Sequence, residues 1–446
     1  MKTTITDTFQ AGYARQAVLP TAPIGLPGFA NADFRRSTEV RDPVCVSCIA
    51  FSQGDDAVLL FSVDIISIDM GTTRALRKAL CAETGIAEDR IMICATHTHS
   101  GPGYYEEDYF KNIFLPGFIR AAKDALSDLS PATIYGTKTQ TERSLSSLRH
   151  FITFDGEYVG SWAIWDKKVN ATVARCARET DREMILLKFA REGKKDICLI
   201  NWQCHPCGCY EKDTYLSADF IATVRTKVEM QTGMDCIYFT GASGDVIRGC
   251  CVPSEKRVFD SDAEFGALVA DTALAAMDGQ WAKIQGEGIR SLQTHFEYTT
   301  NRIGIERLED AKKVKACAEQ YGSFEKPEPN DYAKSLGFSS ARECATIVMN
   351  ANKPEKTTME LNVLSVGGVA FVCAPYEMFA ESGMFIKENS PFDFTVVNAL
   401  SNAYFHYFPV REAYEANNIY EAKTADFSVG VAEATADQFV SMLKNL

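Results

Sequence analysis

Two histidines separated by one residue are the strongest chemical signal in this sequence. The run ATHTHSGPG at 95–103 contains His97 and His99, two of the six histidines in the chain. If the backbone is extended here, side chains two residues apart point to the same side, and both imidazoles face one cavity. Neutral imidazole is a favoured zinc ligand, but a metal site needs three or four convergent groups. The pair alone is equally compatible with two hydrogen-bonded histidines of a pocket.

Further polar residues stand directly after strand-like runs. His205 follows the apolar run 196–202, the run 236–240 leads into the glycine-containing loop 241–245, and the run 394–399 leads into a loop rich in tyrosine. In open α/β sheets, ligands bind beyond the carboxyl ends of the strands. We therefore expect these loops and the two paired histidines to share one site.

Cysteines surround His205 at positions 204, 207 and 209. A Cys-x-x-Cys pair with a third cysteine nearby is compatible with a structural zinc knuckle or a redox pair, although no second pair stands at the usual spacing. The chain has 15 cysteines, an odd number at irregular spacing. That pattern is typical of reduced, buried thiols in a reducing compartment, and we treat His205 as the candidate ligand of this segment.

Strand-like and helix-like segments alternate along the first half of the chain. Residues 58–66, 72–84 and 91–94 have the patterns of a strand, a helix and a second strand, which predicts a βαβ unit. Residues 184–190 and 196–202 predict a hairpin. Together they predict an α/β protein with a layered α/β/α architecture and a mixed central sheet.

The second half continues the alternation and adds a helical stretch. Residues 302–350 are charged and lack strand character, with an interruption at 324–331 that contains two prolines. This stretch is the candidate for an insertion or lid. No linker or low-complexity break divides the sequence, so residues 1–446 are predicted to form one catalytic domain. The other predicted elements are helices at 219–230, 264–277 and 378–388, strands at 359–366 and 368–373, and an amphipathic segment at 435–446.

Composition excludes several classes of partner. The chain has 446 residues, 46% of them hydrophobic and 24% charged, and its formal charge is −13. No basic patch is available for a phosphate backbone, so nucleic acid is not an expected partner. Residues 1–10 contain no apolar segment of the signal-peptide type, and no run is long enough to cross a bilayer. We expect a cytoplasmic protein without integral membrane association that acts on a small molecule, with homo-oligomerisation left open.

Blocks of sequence in a fixed order make the chain resemble the N-terminal catalytic domain of the neutral/alkaline non-lysosomal ceramidase family. The resemblance extends over almost the whole chain and implies a ceramidase-like fold with a metal site. The matching blocks are GYAR at 12–15, ATHTHSGP at 95–102, LINW at 199–202 with His205 and Pro206 beyond it, GDV at 244–246, APYE at 374–377, SNAYFHY at 401–407, REAY at 411–414 and YEA at 420–422.

The resemblance also implies a ligand set for one zinc ion. Two neutral nitrogens, one carboxylate and one phenolic oxygen would leave such an ion able to act as a Lewis acid. Taken alone, the glutamate could instead cap the helix that follows it, and the last tyrosine could be a core aromatic. The implied ligands are His97, His205, Glu377 and Tyr407.

Further site residues are predicted around this ligand set, some from the resemblance and some from their residue types. His99 would contact substrate or support a ligand, and Tyr420 resembles the family tyrosine that faces the oxyanion. Asp245 is a second candidate for the catalytic base, beside His99. Substrate-binding residues are predicted at Arg248, Ser100 and Tyr404, and the pair Arg35 and Arg36 is a further candidate for binding an anionic group.

One position departs from the family pattern. Family ceramidases have a serine after Gly-Asp-Val with a central role in amide cleavage, whereas this chain has Ile247. Isoleucine can neither attack a carbonyl nor donate a hydrogen bond. Ser243 and Cys250 are nearby in sequence but do not occupy that position. We therefore predict that water activated by the metal is the nucleophile.

The predicted function is that of a zinc-dependent hydrolase acting on an amide bond, with an ester as second choice. Neutral ceramidases also continue into an immunoglobulin-like domain and carry a secretion signal, neither of which this sequence contains, and this favours a soluble metabolite as substrate. Two alternatives stay open: a true neutral ceramidase, and a zinc-binding sensor or scaffold without catalytic activity.

Overall fold

The computed structural model of the chain describes residues 8–29, 35–160, 170–210, 212–249, 259–286, 288–324, 326–416 and 419–446. Its strands are β1 (Gln10–Ala17), β2 (Glu39–Val40), β3 (Cys45–Gln53), β4 (Asp56–Val63), β5 (Ile91–Ala95), β6 (Ser130–Gln140), β7 (Ser146–Leu148), β8 (Phe151–Thr153), β9 (Tyr158–Val159), β10 (Val173–Cys176), β11 (Glu183–Arg191), β12 (Ile197–Trp202), β13 (Tyr215–Leu216), β14 (Asp235–Thr240), β15 (Val246–Arg248), β16 (Ala282–Lys283), β17 (Ile289–Thr299), β18 (Lys356–Val366), β19 (Val369–Cys373), β20 (Glu377–Met378), β21 (Phe394–Asn398) and β22 (Tyr407–Phe408).

The helices lie between these strands and have recognisable boundaries. The first one begins after Asp69, whose side chain accepts a hydrogen bond from Thr72 N, and ends at Gly85 with φ 77°, the two signals from which a helix start and end are predicted. Among the described helices, none combines the length and the apolar composition that a bilayer crossing requires. The helices are α1 (Met70–Thr84), α2 (Leu115–Ser127), α3 (Phe220–Thr232), α4 (Asp262–Met277), α5 (Leu308–Tyr321), α6 (Pro327–Ser335), α7 (Ala341–Ala351), α8 (Ala380–Asn389), α9 (Arg411–Glu415), α10 (Tyr420–Lys423) and α11 (Val431–Lys444).

Most of the long strands form one large mixed sheet. Its order is β14-β12-β11-β6-β1-β3-β4-β5, with β16 beside β6. Strands β4 and β5 are parallel and are connected through α1, so the predicted βαβ unit is confirmed. Strands β11 and β12 are antiparallel neighbours, which confirms the predicted hairpin. The carboxyl ends of the parallel pairs β4/β5 and β12/β14 meet in the fold, where the Thr240 hydroxyl at the end of β14 donates to Thr96 O after β5 at 2.8 Å.

A second sheet packs against the inner face of the first. It has four strands in the order β17-β18-β19-β21. Side chains of both sheets share one core, in which Phe51 of β3 lies 6.3 Å from Phe371 of β19 between ring centroids. Neighbouring residues of a strand point to opposite faces, so Leu199 faces this core whereas Cys198 and Trp202 face the helices.

The helices complete four layers. Helices α1 to α4 pack on the outer face of the large sheet, and α8 and α11 pack on the outer face of the four-stranded sheet. The predicted α/β class with a large mixed sheet is confirmed, and the structure adds a second sheet to it. Strands β18 and β19 have apolar residues on both faces, as the strands of a single central sheet would have. For this reason the sequence does not predict two separate sheets.

The predicted helical stretch 302–350 contains α5, α6 and α7, which share a small core of their own around Val314, Ala333 and Cys344. The expected interruption at 324–331 is wrong in part, because α6 begins at Pro327. Proline is tolerated in the first helical turn, where its missing N–H would have no intrahelical partner. A role of this stretch as a lid stays a prediction.

A buried ion pair connects the strand ends to the helical layer. Asp64, directly after β4, accepts hydrogen bonds from Arg225 of α3 at 2.7 and 3.1 Å. The same carboxylate accepts from Cys45 N at 2.9 Å and from the Thr96 hydroxyl at 3.3 Å. Both charged side chains are at least 95% buried. The pair therefore holds the start of the loop that carries the first two histidines.

Candidate metal centre

Three buried imidazoles converge on one point. Nε2 of His205 lies 3.1 Å from Nε2 of His97 and 3.0 Å from Nε2 of His99. Each histidine is less than 10% exposed, and candidate ligand atoms of all three lie within 4.8 Å of one another. Among the described residues, these three histidines form a group of possible ligands that lie close enough together to hold one metal ion.

The first two histidines do not lie on an extended strand. Strand β5 ends at Ala95, and His97 has φ 72°, in the left-handed region that non-glycine residues seldom adopt. Its backbone N–H donates to Ile65 O at 3.0 Å, which holds this conformation. The prediction of alternating extended backbone is therefore wrong. The imidazoles of His97 and His99 converge through a tight turn, and strain of this kind is typical of functional sites.

Hydrogen bonds to carbonyl groups fix which imidazole nitrogens carry hydrogen. Nδ1 of His97 lies 2.6 Å from Ile66 O, and Nδ1 of His205 lies 3.3 Å from Ser243 O. A carbonyl oxygen only accepts, so both Nδ1 atoms donate and both neutral rings present a lone pair on Nε2. Burial, together with nearby positive charge, lowers the pKa of His99 and His205 well below the usual value. The neutral form is the one that binds a cation.

Glu377 brings a carboxylate to the same point. Its Oε2 lies 3.3 Å from His97 Nε2, and its Oε1 accepts a hydrogen bond from the Tyr404 hydroxyl at 2.7 Å. Burial raises the pKa of Glu377, but the nearby Arg149 guanidinium and the hydrogen bond from Tyr404 act in the opposite direction, and the pKa is lowered overall. Oε2 itself is buried and accepts no hydrogen bond.

These residues fit a divalent cation. Several lone pairs face one another in a buried space, which is unfavourable unless a positive charge lies between them. Imidazole nitrogen and carboxylate oxygen are the donors that zinc takes in proteins. Two ligands at 2.0–2.1 Å from a tetrahedral ion lie roughly 3.3 Å apart, close to the Nε2 separations of 3.0 and 3.1 Å. The histidine trio could therefore hold a metal ion.

Tyr407 lies beside the carboxylate in the fold. Strand β22 pairs in parallel with β20, and their register places Tyr407 opposite Glu377. The Arg149 guanidinium carbon lies 5.1 Å from the centroid of the Tyr407 ring. Burial raises the pKa of Tyr407 well above its usual value. The role of Tyr407 as a ligand stays a prediction. His99, which the predicted ligand set does not include, lies directly at the point where the imidazoles converge.

Tyr404 contacts the carboxylate of the candidate centre. Its hydroxyl donates to Glu377 Oε1, and its predicted role in binding substrate stays a prediction. Its ring also meets the ring of His406 edge to face, at 4.8 Å between centroids. Tyr404 therefore orients the carboxylate, as outer partners of metal ligands commonly do.

Replacing Tyr404 by phenylalanine is expected to weaken zinc binding by about 10–100-fold, because Glu377 loses the donor that fixes its orientation. Competition titration with a chelator of known affinity measures the effect. Tyr13→Phe is the matched control, since its buried hydroxyl donates to Cys236 O at 3.1 Å in another part of the fold. Equal zinc affinity of Tyr404→Phe and wild type would contradict this role.

Asp245, a candidate for the catalytic base, makes two contacts within the fold. Its Oδ1 accepts a hydrogen bond from Ala380 N at 2.8 Å, at the first residue of α8. Its Oδ2 lies 3.5 Å from a guanidinium nitrogen of Arg178. These contacts anchor α8 and neutralise an arginine, and the role of Asp245 as a base stays a prediction.

Arg248 also has a partner within the protein. Its guanidinium forms an ion pair with Asp262 and donates to Gly208 O at 3.0 Å. Arg248 thus has a counter-charge within the protein, and its predicted role in binding an anionic group stays a prediction.

Arg35 and Ser100 likewise serve the fold. Arg35 is 97% buried and donates to His99 O at 2.6 Å and to the Ser100 hydroxyl at 3.3 Å. Arg36 pairs with Glu106 at 3.1 Å on the surface. The contacts of Arg35 hold the His99 loop, and the predicted substrate contacts of Ser100, Arg35 and Arg36 stay predictions.

Tyr420 lies at the exposed side of the site. Its side chain is 39% exposed, and its ring centroid lies 5.7 Å from that of Tyr407. The guanidinium carbon of Arg342, at the start of α7, lies 6.0 Å from the same ring. The helical stretch thus reaches the edge of the site. The role of Tyr420 toward an oxyanion stays a prediction.

The position of the family serine lies in a short strand. Ile247 belongs to β15 and pairs with Ser147 of β7. Ser243 is buried and contributes its carbonyl oxygen to His205. Cys250 lies outside the described residues. Nearby, Cys204 and Cys209 are buried and form no disulfide bond, and no cysteine joins the convergent metal-type group among the described residues.

Two charged residues near the centre were missed by sequence reasoning. Arg149 donates to Gly244 O at 2.7 Å and pairs with Glu421 at 2.6 Å. Arg149 belongs to no motif in the sequence. Glu421 lies inside the YEA block at 420–422, which was the available signal, but its partner is 272 positions away in the chain.

Comparisons with known proteins agree with this fold. Residues 20–239 match the protein family described as neutral/alkaline non-lysosomal ceramidase, N-terminal. The fold is similar to the crystal structure of neutral ceramidase from Pseudomonas aeruginosa, with a TM-score of 0.74 and 16% identity over 98% of this chain and 75% of that chain. A structure titled "Ceramidase complexed with C2" gives a TM-score of 0.71 and 16% identity, with the same coverage of 98% and 75%.

The protein thus has a fold similar to that of neutral ceramidase, with a buried imidazole group that could hold a metal ion. Its resemblance to the neutral/alkaline non-lysosomal ceramidase family is confirmed.

Proposed function

We propose that this protein is a zinc-dependent hydrolase that cleaves an amide bond in a small soluble molecule. The observation that carries the proposal is the convergence of the His97, His99 and His205 Nε2 atoms with the free carboxylate oxygen of Glu377. We propose His97, His205 and Glu377 as zinc ligands, with Tyr407 as the fourth.

The residues around this centre have complementary roles in the proposed reaction. When bound, zinc supplies a Lewis acid for the carbonyl group and lowers the pKa of water to near neutrality. His99, with Nε2 turned to the same point, would accept a proton from the attacking water and pass it to the departing amine, a type of contribution worth about 10²–10⁴-fold in rate. The partly exposed Tyr420 hydroxyl donates to the oxygen on which negative charge develops.

Replacing Ile247 by alanine is expected to leave kcat within about threefold of wild type, because an aliphatic side chain can neither attack nor transfer a proton. Ser243→Ala is expected to behave alike, since Ser243 contributes its backbone carbonyl to His205. Steady-state hydrolysis of the best amide substrate measures both. A 100-fold loss in Ser243→Ala, with unchanged melting temperature, would point to a serine nucleophile instead.

The function is tested with purified protein loaded with zinc. A panel of small N-acyl amides, matched esters and a short-chain fluorescent ceramide is assayed with and without a chelator. Hydrolysis of the small amides that chelation abolishes supports the proposal. Stoichiometric zinc without turnover of any compound would overturn it in favour of a sensor or scaffold.

A neutral ceramidase is the second candidate, favoured by the similarity of the fold to neutral ceramidase over 98% of this chain. Fold similarity does not transfer specificity. The ratio of kcat/KM for the short-chain ceramide and for the small amides in the same panel separates the two candidates. A ratio well above one supports the ceramidase.

A further inference from the structure

A buried group of charged side chains lies beside Tyr407. Glu421 Oε1 is 2.6 Å from Arg149 Nε, and Glu421 Oε2 is 3.0 Å from His150 Nε2. The side chains of Glu421 and His150 are fully buried, and that of Arg149 is 89% buried. We call Arg149, His150 and Glu421 the buried triad.

Stability alone does not account for the buried triad. Removing charges from water costs several kcal/mol for each ion by general estimates, and well-packed apolar residues of similar volume often stabilise a fold as well or better. Burial alone would raise the pKa of Glu421, but the Arg149 guanidinium and the hydrogen bond with His150 favour the ionised carboxyl and lower that pKa to about 2. A fully ionised, internally paired carboxylate is a rigid anchor for the groups that it contacts.

Arg149 connects the triad to two segments of the candidate metal centre. Its Nη2 donates to Gly244 O at 2.7 Å, and Gly244 follows Ser243, whose carbonyl accepts from His205 Nδ1. Its guanidinium also lies over the ring of Tyr407, which pairs with Glu377 in the β20–β22 ladder. One side chain therefore contacts the loop behind a histidine and the strand beside the carboxylate.

Glu421 also holds the short helix that carries Tyr420. Helix α10 has four residues, Tyr420–Lys423, and a helix of that length has little stability of its own. Glu421 points into the triad while the adjacent Tyr420 ring lies 5.7 Å from the Tyr407 ring. The position of Tyr420 at the site thus depends on the buried contacts of Glu421, the next residue in the chain.

We propose that Glu421 and His150 are positioning residues that act through Arg149, holding Tyr407, the Gly244 turn and Tyr420 in register with the candidate metal centre. This inference rests on the proposed function, because it assigns these residues to the geometry of the same site.

The test compares wild type with Glu421→Gln, His150→Gln and the conservative Glu421→Asp. Each protein is loaded with cobalt(II), and the visible absorption of the cobalt ion reports the geometry of its ligands. Glu421→Gln and His150→Gln are expected to keep one cobalt per chain with a changed spectrum, and to lose about 10–100-fold in kcat with a smaller change in KM. Glu421→Asp is expected to recover part of both.

Glu360→Gln is the matched control. Glu360 pairs with the buried Arg77 at 2.7 Å, between β18 and α1. It is expected to lower the melting temperature without changing the cobalt spectrum, as a merely structural ion pair would. A wild-type spectrum and kcat in both Glu421→Gln and His150→Gln would overturn the proposal. If Glu421→Gln does not fold, His150→Gln decides.

Failure of the proposed function has a different signature. If wild type binds cobalt but hydrolyses nothing in the panel, the enzyme is excluded while the spectra still decide whether the triad positions the centre. If wild type binds no cobalt, both the metal centre and the positioning role are overturned.

Discussion

Replacing either His97 or His205 by alanine is expected to abolish stoichiometric zinc binding. Each variant removes one Nε2 lone pair from a centre whose remaining donors cannot enclose an ion. After dialysis, the zinc content is expected to fall from one ion per chain to less than about 0.1 ion per chain. The rate of hydrolysis is expected to fall by more than about 100-fold, which is more than the loss expected when an outer partner of a ligand is removed. Elemental analysis and steady-state kinetics measure the two effects.

The matched control is His295→Ala, an exposed histidine on β17. It is expected to bind zinc and to turn over like wild type. Full zinc retention in both His97→Ala and His205→Ala would show that the ligand assignment is wrong, whatever happened to activity. A thermal unfolding curve for each variant shows whether the fold has survived.

Replacing Arg225 by leucine is expected to lower the free energy of unfolding by about 3–5 kcal/mol, because Asp64 is left buried without its counter-charge. The pair is 2.7 Å apart, with both side chains nearly inaccessible to water. Urea unfolding followed by circular dichroism measures the loss. The double variant Asp64→Asn/Arg225→Leu is expected to recover part of it, since the charge that needs a partner is gone.

The control for this effect is an exposed ion pair. Arg143 and Glu179 lie 3.2 Å apart with side chains about 70% exposed, where water screens the attraction. Arg143→Leu is expected to change stability far less than Arg225→Leu. Equal losses for the two variants would mean that Asp64 finds other compensation in the interior.

The elements were predictable where the signal is local. Helix α1 has a capping aspartate before it and a left-handed glycine after it, and its apolar side faces the sheet. Strand and hairpin patterns around β4, β5, β11 and β12 were sufficient for their pairing. The division into two sheets was not predictable, because β18 and β19 are as apolar as strands of one central sheet.

The candidate site shows the same limit. His97 and His205 were recognisable from their positions after apolar runs, but the left-handed turn at His97 depends on a hydrogen bond to Ile65 O. The residue type alone does not predict which partner an arginine or a tyrosine contacts. Arg248 pairs with Asp262 and Tyr404 donates to Glu377, and neither contact was predictable from the sequence. Ion pairs between residues hundreds of positions apart leave no spacing signal in a single sequence.

The two sheets contribute different groups to the centre. His97 and His205 follow β5 and β12 of the large sheet, whereas Glu377 follows β19 of the four-stranded sheet. A cation bound by all three would cross-link the two halves of the sandwich. Free ligand at 100 times its dissociation constant stabilises a native state by about 2.7 kcal/mol. Release of the ion and separation of the sheets would then be thermodynamically linked. Depletion of zinc would therefore lower the stability of the contact between the two sheets as well as remove the ion from the centre.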